Sequence, residues 1–217
     1  MVDWILDKIR ETEVDEIQLV TNHRFAADFE RWAPPDVTVH DDGTTSNDDR
    51  LGAIGDIQFA GIDDDLLTIA GDNLFDYSLR AYVEFWRSKG DASCVAVHDV
   101  GDRELAKQYG IVDVDRDGRI TSFVEKPENP PTTLCATATY IFARDHVRLV
   151  DTYLADGNPP DQPGNFVAWL QAREPVYAYS FPGEWWDIGD RAQLLEADIL
   201  MRRRVGLPER AEYSPQS

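Results

Sequence analysis

Leu66-Leu67-Thr68-Ile69-Ala70-Gly71-Asp72-Asn73-Leu74-Phe75 is the stretch on which the reading of this chain turns. The run Leu66 to Ala70, closed by a glycine, describes a buried strand. Asp72 therefore stands at the strand's carboxyl end. In open α/β sheets ligands bind along that edge. A Gly-Asp-Asn turn also ends strands for purely conformational reasons, so Asp72 acquires meaning only from what accompanies it.

Toward the amino end, Val2, Ile5, Leu6 and Ile9 share one helical face. A short strand over Glu16 to Val20 and a helix over Arg24 to Trp32 follow, the latter broken by Pro34-Pro35. Val37 to His40 reads as a strand, Asp41 to Asp49 as a polar loop, and Leu51 to Ala60 as a helix despite Gly52 and Gly55. Beyond the central stretch come a helix over Tyr77 to Ser88 and a strand over Ser93 to His98. Strand and helix alternate throughout, which argues a doubly wound, mostly parallel sheet. The second half changes character. Tyr109 to Val114 and Arg119 to Val124 flank a tight Asp-Arg-Asp-Gly turn, which signals a hairpin. A strand over Ala136 to Phe142, helices over His146 to Leu154 and Phe166 to Ala172, a strand over Val176 to Phe181 and a helix over Asp190 to Arg204 complete the reading. Residues 1–204 are expected to form one domain, and 205–217 a frayed tail.

Composition narrows the function classes. The formal charge of -20 argues against a nucleic-acid-binding surface, which needs clustered Lys and Arg. Lysine occurs only at Lys8, Lys89, Lys107 and Lys126, and Asp far outnumbers Glu, a balance that looks like adaptation to a high-salt cytoplasm. There the Debye length falls to about 3 Å, so self-repulsion and repulsion of anionic substrates are both screened. No 18-residue apolar stretch and no basic-then-apolar leader appear, so the chain reads as soluble and cytoplasmic, with no membrane partner. Cys94 and Cys135 lie in apolar runs without metal-ligand spacing and read as buried residues of a reducing compartment.

Two further segments give Asp72 its company. Trp185-Trp186-Asp187-Ile188-Gly189-Asp190 carries a second carboxylate, and Val124-Glu125-Lys126-Pro127 a cation. Each has an ordinary alternative: a helix start capped by Asp187 or Asp190, and a surface ion pair. As a set, Asp72, Asp187 and Lys126 suit a metal ion and phosphates. By contrast, Asp113-Val114-Asp115-Arg116-Asp117-Gly118 only imitates a calcium loop. The twelfth position is Val124 rather than the closing Glu, and the flanks alternate like strands.

Taken in order, six segments resemble the sugar-1-phosphate nucleotidylyltransferases, over nearly the whole chain. They are Leu51-Gly52-Ala53, Gly71-Asp72-Asn73, Tyr109-Gly110-Ile111-Val112, Phe123-Val124-Glu125-Lys126-Pro127, Thr137-Ala138-Thr139-Tyr140 and Trp186-Asp187-Ile188-Gly189. The resemblance implies an α/β, Rossmann-like doubly wound mixed sheet, with a nucleotide-binding half over 1–100 and a sugar-binding half over 101–204. It implies Mg²⁺-dependent transfer of a nucleotidyl group from an NTP to a sugar 1-phosphate. Asp72 and Asp187 match the Mg²⁺ ligands, and Lys126 the lysine on the sugar phosphate. Gly110, Glu125, Tyr140 and Trp185 fall on sugar-pocket positions, Gly52 falls where backbone approaches the nucleotide base, and Gly43 to Asn47 is expected to border the base site. Homo-oligomer formation is left open. The chemistry agrees: a phosphate nucleophile and a pyrophosphate leaving group need charge placement more than a general acid or base. The family's opening strand and glycine-rich triphosphate loop have no counterpart here, so the sheet is expected to lack its first strand and turnover to be weak. A non-catalytic sugar-nucleotide-binding subunit and a metal-dependent glycosyltransferase remain as rival readings.

Overall fold

A computed structural model describes residues 1–212. The elements of the first half are α1 (Val2–Ile9), β1 (Ile17–Thr21), α2 (His23–Trp32), β2 (Val37–Asp41), α3 (Ala53–Ala60), β3 (Leu66–Ile69), β4 (Asn73–Phe75), α4 (Leu79–Arg87) and β5 (Ser93–Asp99). Those of the second are α5 (Arg103–Ala106), β6 (Gly110–Val114), β7 (Ile120–Glu125), β8 (Leu134–Phe142), α6 (Arg144–Val147), α7 (Leu149–Ala155), α8 (Pro163–Leu170), β9 (Val176–Ser180), β10 (Trp185–Asp187) and α9 (Arg191–Arg204).

Local chemistry sets several of these boundaries. The Ser78 hydroxyl accepts from the Ala81 N–H and starts α4 two residues later than periodicity predicts. Pro163 opens α8 at its first position, where a missing N–H costs nothing, so this helix begins before the predicted Phe166. Asp190 and Gln193 form a capping box at the head of α9. The predicted helix over His146 to Leu154 is two segments, α6 and α7, meeting at Arg148. At the hairpin tip, Asp115 Oδ1 accepts from the N–H groups of Asp117 and Arg119, so this aspartate serves the turn. The tail is tied back to α9 by Leu207 N–H donating to Arg202 O and by an Arg203–Glu209 ion pair, whereas residues 213–217 of the predicted frayed segment lie outside the described residues.

The main sheet runs β7-β6-β8-β5-β9, with β3 also paired to β8. The helix–strand alternation of the first half predicts mostly parallel pairing, and the pairing departs from this. Both β3 and β5 pair antiparallel with β8, so they run in the same direction with β8 between them. Among the described residues only β5–β9 within this sheet is parallel. The sheet is mixed because β8, buried along most of its length, is the strand with enough apolar surface to occupy the centre. β1 and β2 form a separate parallel pair, and β4 and β10 a separate antiparallel one.

Helices cover both faces. On β5, Val95 and Val97 point into a cluster with Ile54 and Ile57 of α3, Tyr153 of α7 and Phe166 of α8. Cys94 and Ala96, on the opposite face, join Ile5 of α1 and Leu79 and Tyr82 of α4. The Tyr82 hydroxyl donates to Cys94 O at 2.7 Å, which pins α4 to the sheet. Cys94 and Cys135 are both free and buried, and burial pushes each thiol up to about 12.

Candidate active site

Two three-residue strands position the carboxylates. β4 begins immediately after Asp72 and β10 ends on Asp187, and the register Trp185↔Phe75, Trp186↔Leu74, Asp187↔Asn73 sets both acids at one end of the pair. The next hydrogen bond runs from Ile188 N–H to Asp72 O at 3.0 Å. Asn73, almost wholly buried, joins the two segments. Its side-chain N–H donates to Asp72 Oδ1 at 2.8 Å, and its oxygen accepts from the Trp185 indole at 2.5 Å. Trp4 donates to Phe75 O from the outer side, and Trp186 packs with Leu74 and α9.

The electrostatics register this convergence. Burial pushes the Asp187 carboxyl above the usual carboxylate range, the Asp72 charge pushes it further, and Lys126 pulls it back. Lys126 directly follows β7 with φ of 45°, a left-handed conformation unfavourable for a side-chain-bearing residue, and its N–H donates to Tyr109 O at 3.1 Å. Such strain costs roughly 1–2 kcal/mol and persists where the surroundings impose it. A second strained residue, Ala138 (φ 51°), makes the bulge of β8, and its carbonyl accepts from Ala70 N–H just before Gly71.

Glu125 lies in a slot between two glycines. A Cβ on Gly110 would sit 2.6 Å from the Phe123 ring and 2.9 Å from Glu125 Oε2, and one on Gly164 would strike the same two side chains. Burial raises the Glu125 carboxyl, partly offset by Lys126, and the Glu125 charge in turn acts on the buried Tyr140 hydroxyl. Tyr140 stacks on Phe142 within the core and borders the cleft between β1 and β3. Trp185 faces Tyr109 edge-on at 5.0 Å, with His98 and Phe181 behind it. Burial and then the Asp187 charge raise the Tyr109 phenol.

Gly52 stands apart from this group. With φ of 79°, it lets the start of α3 meet the backbone of Pro160 and Asp161, where a Cβ would lie 2.6 Å from Asp161 Cα. The Gly52 backbone is thus in close contact with the chain's own loop at Pro160 and Asp161. The polar loop after β2 likewise closes on itself, Asp49 collecting the N–H groups of Thr45 and Ser46. Among the described residues no group of three or more His, Cys, Asp or Glu side chains could hold a metal ion, and Asp72 and Asp187 are two carboxylates at one end of the β4–β10 pair. That is the donor set on which Mg²⁺ commonly relies when substrate phosphates and water supply the rest.

The sequence profile described as Nucleotidyl transferase matches residues 1–203. The chain belongs to the nucleotidyl transferase family. Among curated relatives, the glucose-1-phosphate adenylyltransferase of Fervidobacterium nodosum is 26% identical over 142 residues, which is 64% of this chain and 34% of that protein. The chain thus spans about a third of that relative. A structure described as a glucose-1-phosphate thymidylyltransferase from Bacillus anthracis, in complex with a sucrose, superposes with a TM-score of 0.69 at 20% identity, covering 93% of this chain and 82% of that one. A UDP-glucose pyrophosphorylase from Acinetobacter baumanii gives 0.68 at 21%, covering 90% and 80%. At such identities these two structures speak to the fold alone, a mixed α/β sheet.

Three residues that shape the site were missed in the sequence reading. Asn73 was quoted only as part of a turn, yet it bridges Asp72 to Trp185. Tyr109 supplies the carbonyl that turns Lys126. Gly164 leaves room for Glu125, and its signal was present as a glycine directly after a helix-opening proline, where alanine would serve the helix better.

Proposed function

We propose that the chain carries the centre for Mg²⁺-dependent transfer of a nucleotidyl group from an NTP to a sugar 1-phosphate, giving an NDP-sugar and pyrophosphate. The convergence of Asp72, Asp187 and Lys126 at one end of β4–β10 carries this reading. Two unit anions 4 Å apart repel by about 4 kcal/mol at an effective dielectric of 20, so an attacking sugar phosphate must be screened from the phosphate it approaches. Asp72 and Asp187 would hold the metal ion, which supplies charge neutralisation and orients the phosphates. Lys126, held in place by its strained backbone, meets the sugar phosphate. Glu125, Gly110 and Trp185 border the sugar with Tyr140 beneath, and the half before residue 100, with Gly52 and the loop Gly43 to Asn47, faces the nucleotide. Charge placement and in-line alignment do most of the work.

Lys126 is the cation whose charge offsets burial and the Asp72 charge at the Asp187 carboxyl. The test pairs pyrophosphate release with calorimetry of an NDP-sugar series, each with Mg²⁺ and with EDTA. Asp187→Asn and Asp72→Asn should abolish the Mg²⁺-dependent part of binding and lower any turnover at least a hundredfold, with the far-UV spectrum unchanged. Parent-like behaviour of either variant would overturn the metal assignment. NDP-sugar binding with no pyrophosphate released under any condition would favour the non-catalytic sugar-nucleotide reading.

A further inference from the structure

The β4–β10 ribbon that carries the two carboxylates is too small to hold itself together. Each strand is three residues long, and among the described residues neither pairs with any other strand. An isolated two-stranded ribbon is marginal in water even at greater length, so its closure has to be imposed from outside. At the Asp187 end the closing bond runs from Ile188 N–H to Asp72 O. At the opposite end the chain enters β10 through Pro182-Gly183-Glu184, and there Asp76 N–H donates to Glu184 O at 3.2 Å.

Asp76 is the hub of that end. Its Oδ1 accepts from Glu184 N–H at 2.7 Å, so its side chain and backbone together engage both polar groups of the Glu184 backbone. Its Oδ2 accepts from Arg204 Nη1 at 2.6 Å, and both side chains are sheltered, at 24% and 38% exposure. Arg204 is the last residue of α9, and its guanidinium lies 5.8 Å from the centre of the Trp186 ring. The helix is capped at Asp190, just beyond the ribbon, and packs Leu194, Ala197 and Met201 with Leu74, Trp186 and Ile188. It therefore runs along the ribbon, and Arg204 closes the far end. Gly183, with φ of 119°, leaves the space that Asp76 needs, since a Cβ there would collide with Asp76 Oδ1.

We infer that Asp76 and Arg204 are positioning residues, a clamp at the far end of the ribbon that fixes β10 on β4 and thereby holds Asp187 beside Asp72. The clamp's consequence for an ion rests on the metal reading of Asp72 and Asp187 proposed above, while the clamp itself holds the ribbon with neither ion nor substrate bound. Its two parts differ in strength. A carboxylate accepting a backbone N–H makes a charge-assisted bond, stronger than a neutral one. A part-exposed ion pair contributes little and is screened by salt. Loss of Asp76 should therefore loosen the ribbon more than loss of Arg204.

Hydrogen–deuterium exchange of the unliganded chain reads the ribbon, and Mn²⁺ titration followed by water-proton relaxation reads the carboxylates. Asp76→Ala should speed exchange over Trp185 to Ile188 about tenfold, and Arg204→Ala about threefold, the latter difference vanishing in molar salt. Gly183→Ala, which displaces Asp76 Oδ1 without removing it, should match Asp76→Ala. Asp76→Asn keeps an oxygen facing Glu184 N–H and should fall between Asp76→Ala and the parent. Mn²⁺ affinity should drop in the same order, about fivefold for Asp76→Ala. Val150→Ala opens a cavity in the cluster of α3, α7 and α8, lowers stability without touching the ribbon, and should alter neither readout. Unchanged exchange over Trp185 to Ile188 in Asp76→Ala would overturn the clamp. Faster exchange with Mn²⁺ affinity at the parent value would overturn its positioning role. A parent that binds no Mn²⁺ would overturn the metal reading of Asp72 and Asp187, and the exchange series alone would then decide the clamp.

Discussion

Replacing Gly164 by alanine separates two accounts of that residue by the sign of a stability change. Were Gly164 simply a helical glycine, Gly164→Ala would stabilise α8 by roughly 0.5–1 kcal/mol, because alanine loses less backbone freedom on folding. The structure dictates the opposite. The new Cβ would lie 2.5 Å from Phe123 Cε1 and 2.7 Å from Cζ, with Glu125 Oε2 nearer still. Ordinary contact needs close to 1 Å more. The ring is 6% exposed and cannot retreat, because the backbone of Gly110 closes its other side, where an added Cβ would already be within 2.6 Å. Overpacking of this kind costs about 1–3 kcal/mol, which in a domain of this size lowers the melting temperature by roughly 2 to 10 °C. Thermal unfolding followed by circular dichroism measures it. Phe123→Leu removes the struck ring atoms while Glu125 Oε2 stays, so the double variant should recover part of the loss, with a coupling of at least about 1 kcal/mol in the cycle. A stabilised Gly164→Ala, or additive effects of the two substitutions, would refute the reasoning.

Asp56 supplies a pH test. Burial, then the Asp42 charge, raises its carboxyl from the ordinary 3.8 to about 6. A raised folded value contributes stability that is fully present below the ordinary carboxylate range and is lost as pH climbs through about 6. Because the group is only half-buried, the loss is discounted to about 1 kcal/mol. Asp56→Asn should therefore melt higher than the parent at pH 7.5 and indistinguishably at pH 4, as scanning calorimetry at the two pH values will show; an equal effect at both would rule out titration of Asp56 as the cause. Asn73→Ala strands the half-buried Trp185 indole N–H and frees Asp72, at an expected cost of about 2 kcal/mol in urea unfolding. A change below about 0.5 kcal/mol would mean that the bridge contributes nothing.

The elements legible in the chain were those whose signal is local. The apolar run into Gly71, the amphipathic faces of α1 and α4, and the Asp115 to Gly118 hairpin tip each depend on neighbours within a few residues. The three-residue strands β4 and β10 escaped because three residues carry no periodicity. They form only because positions more than a hundred apart in sequence, Asn73 and Asp187, find each other. α5, a single turn, escaped for the same reason.

What residue order alone determined was the supply of parts: carboxylates placed after strands, a lysine before a proline, glycines where something must come close, and a strand–helix alternation requiring helices on both faces of a sheet. Tertiary structure decided how the parts were used. β8 lies between β3 and β5 because pairing follows the burial of a whole strand, a quantity no local window contains. Asp187 meets Asp72 because β10 closes on β4, and the start of α3 at Gly52 meets Pro160 and Asp161 because that loop folds against it.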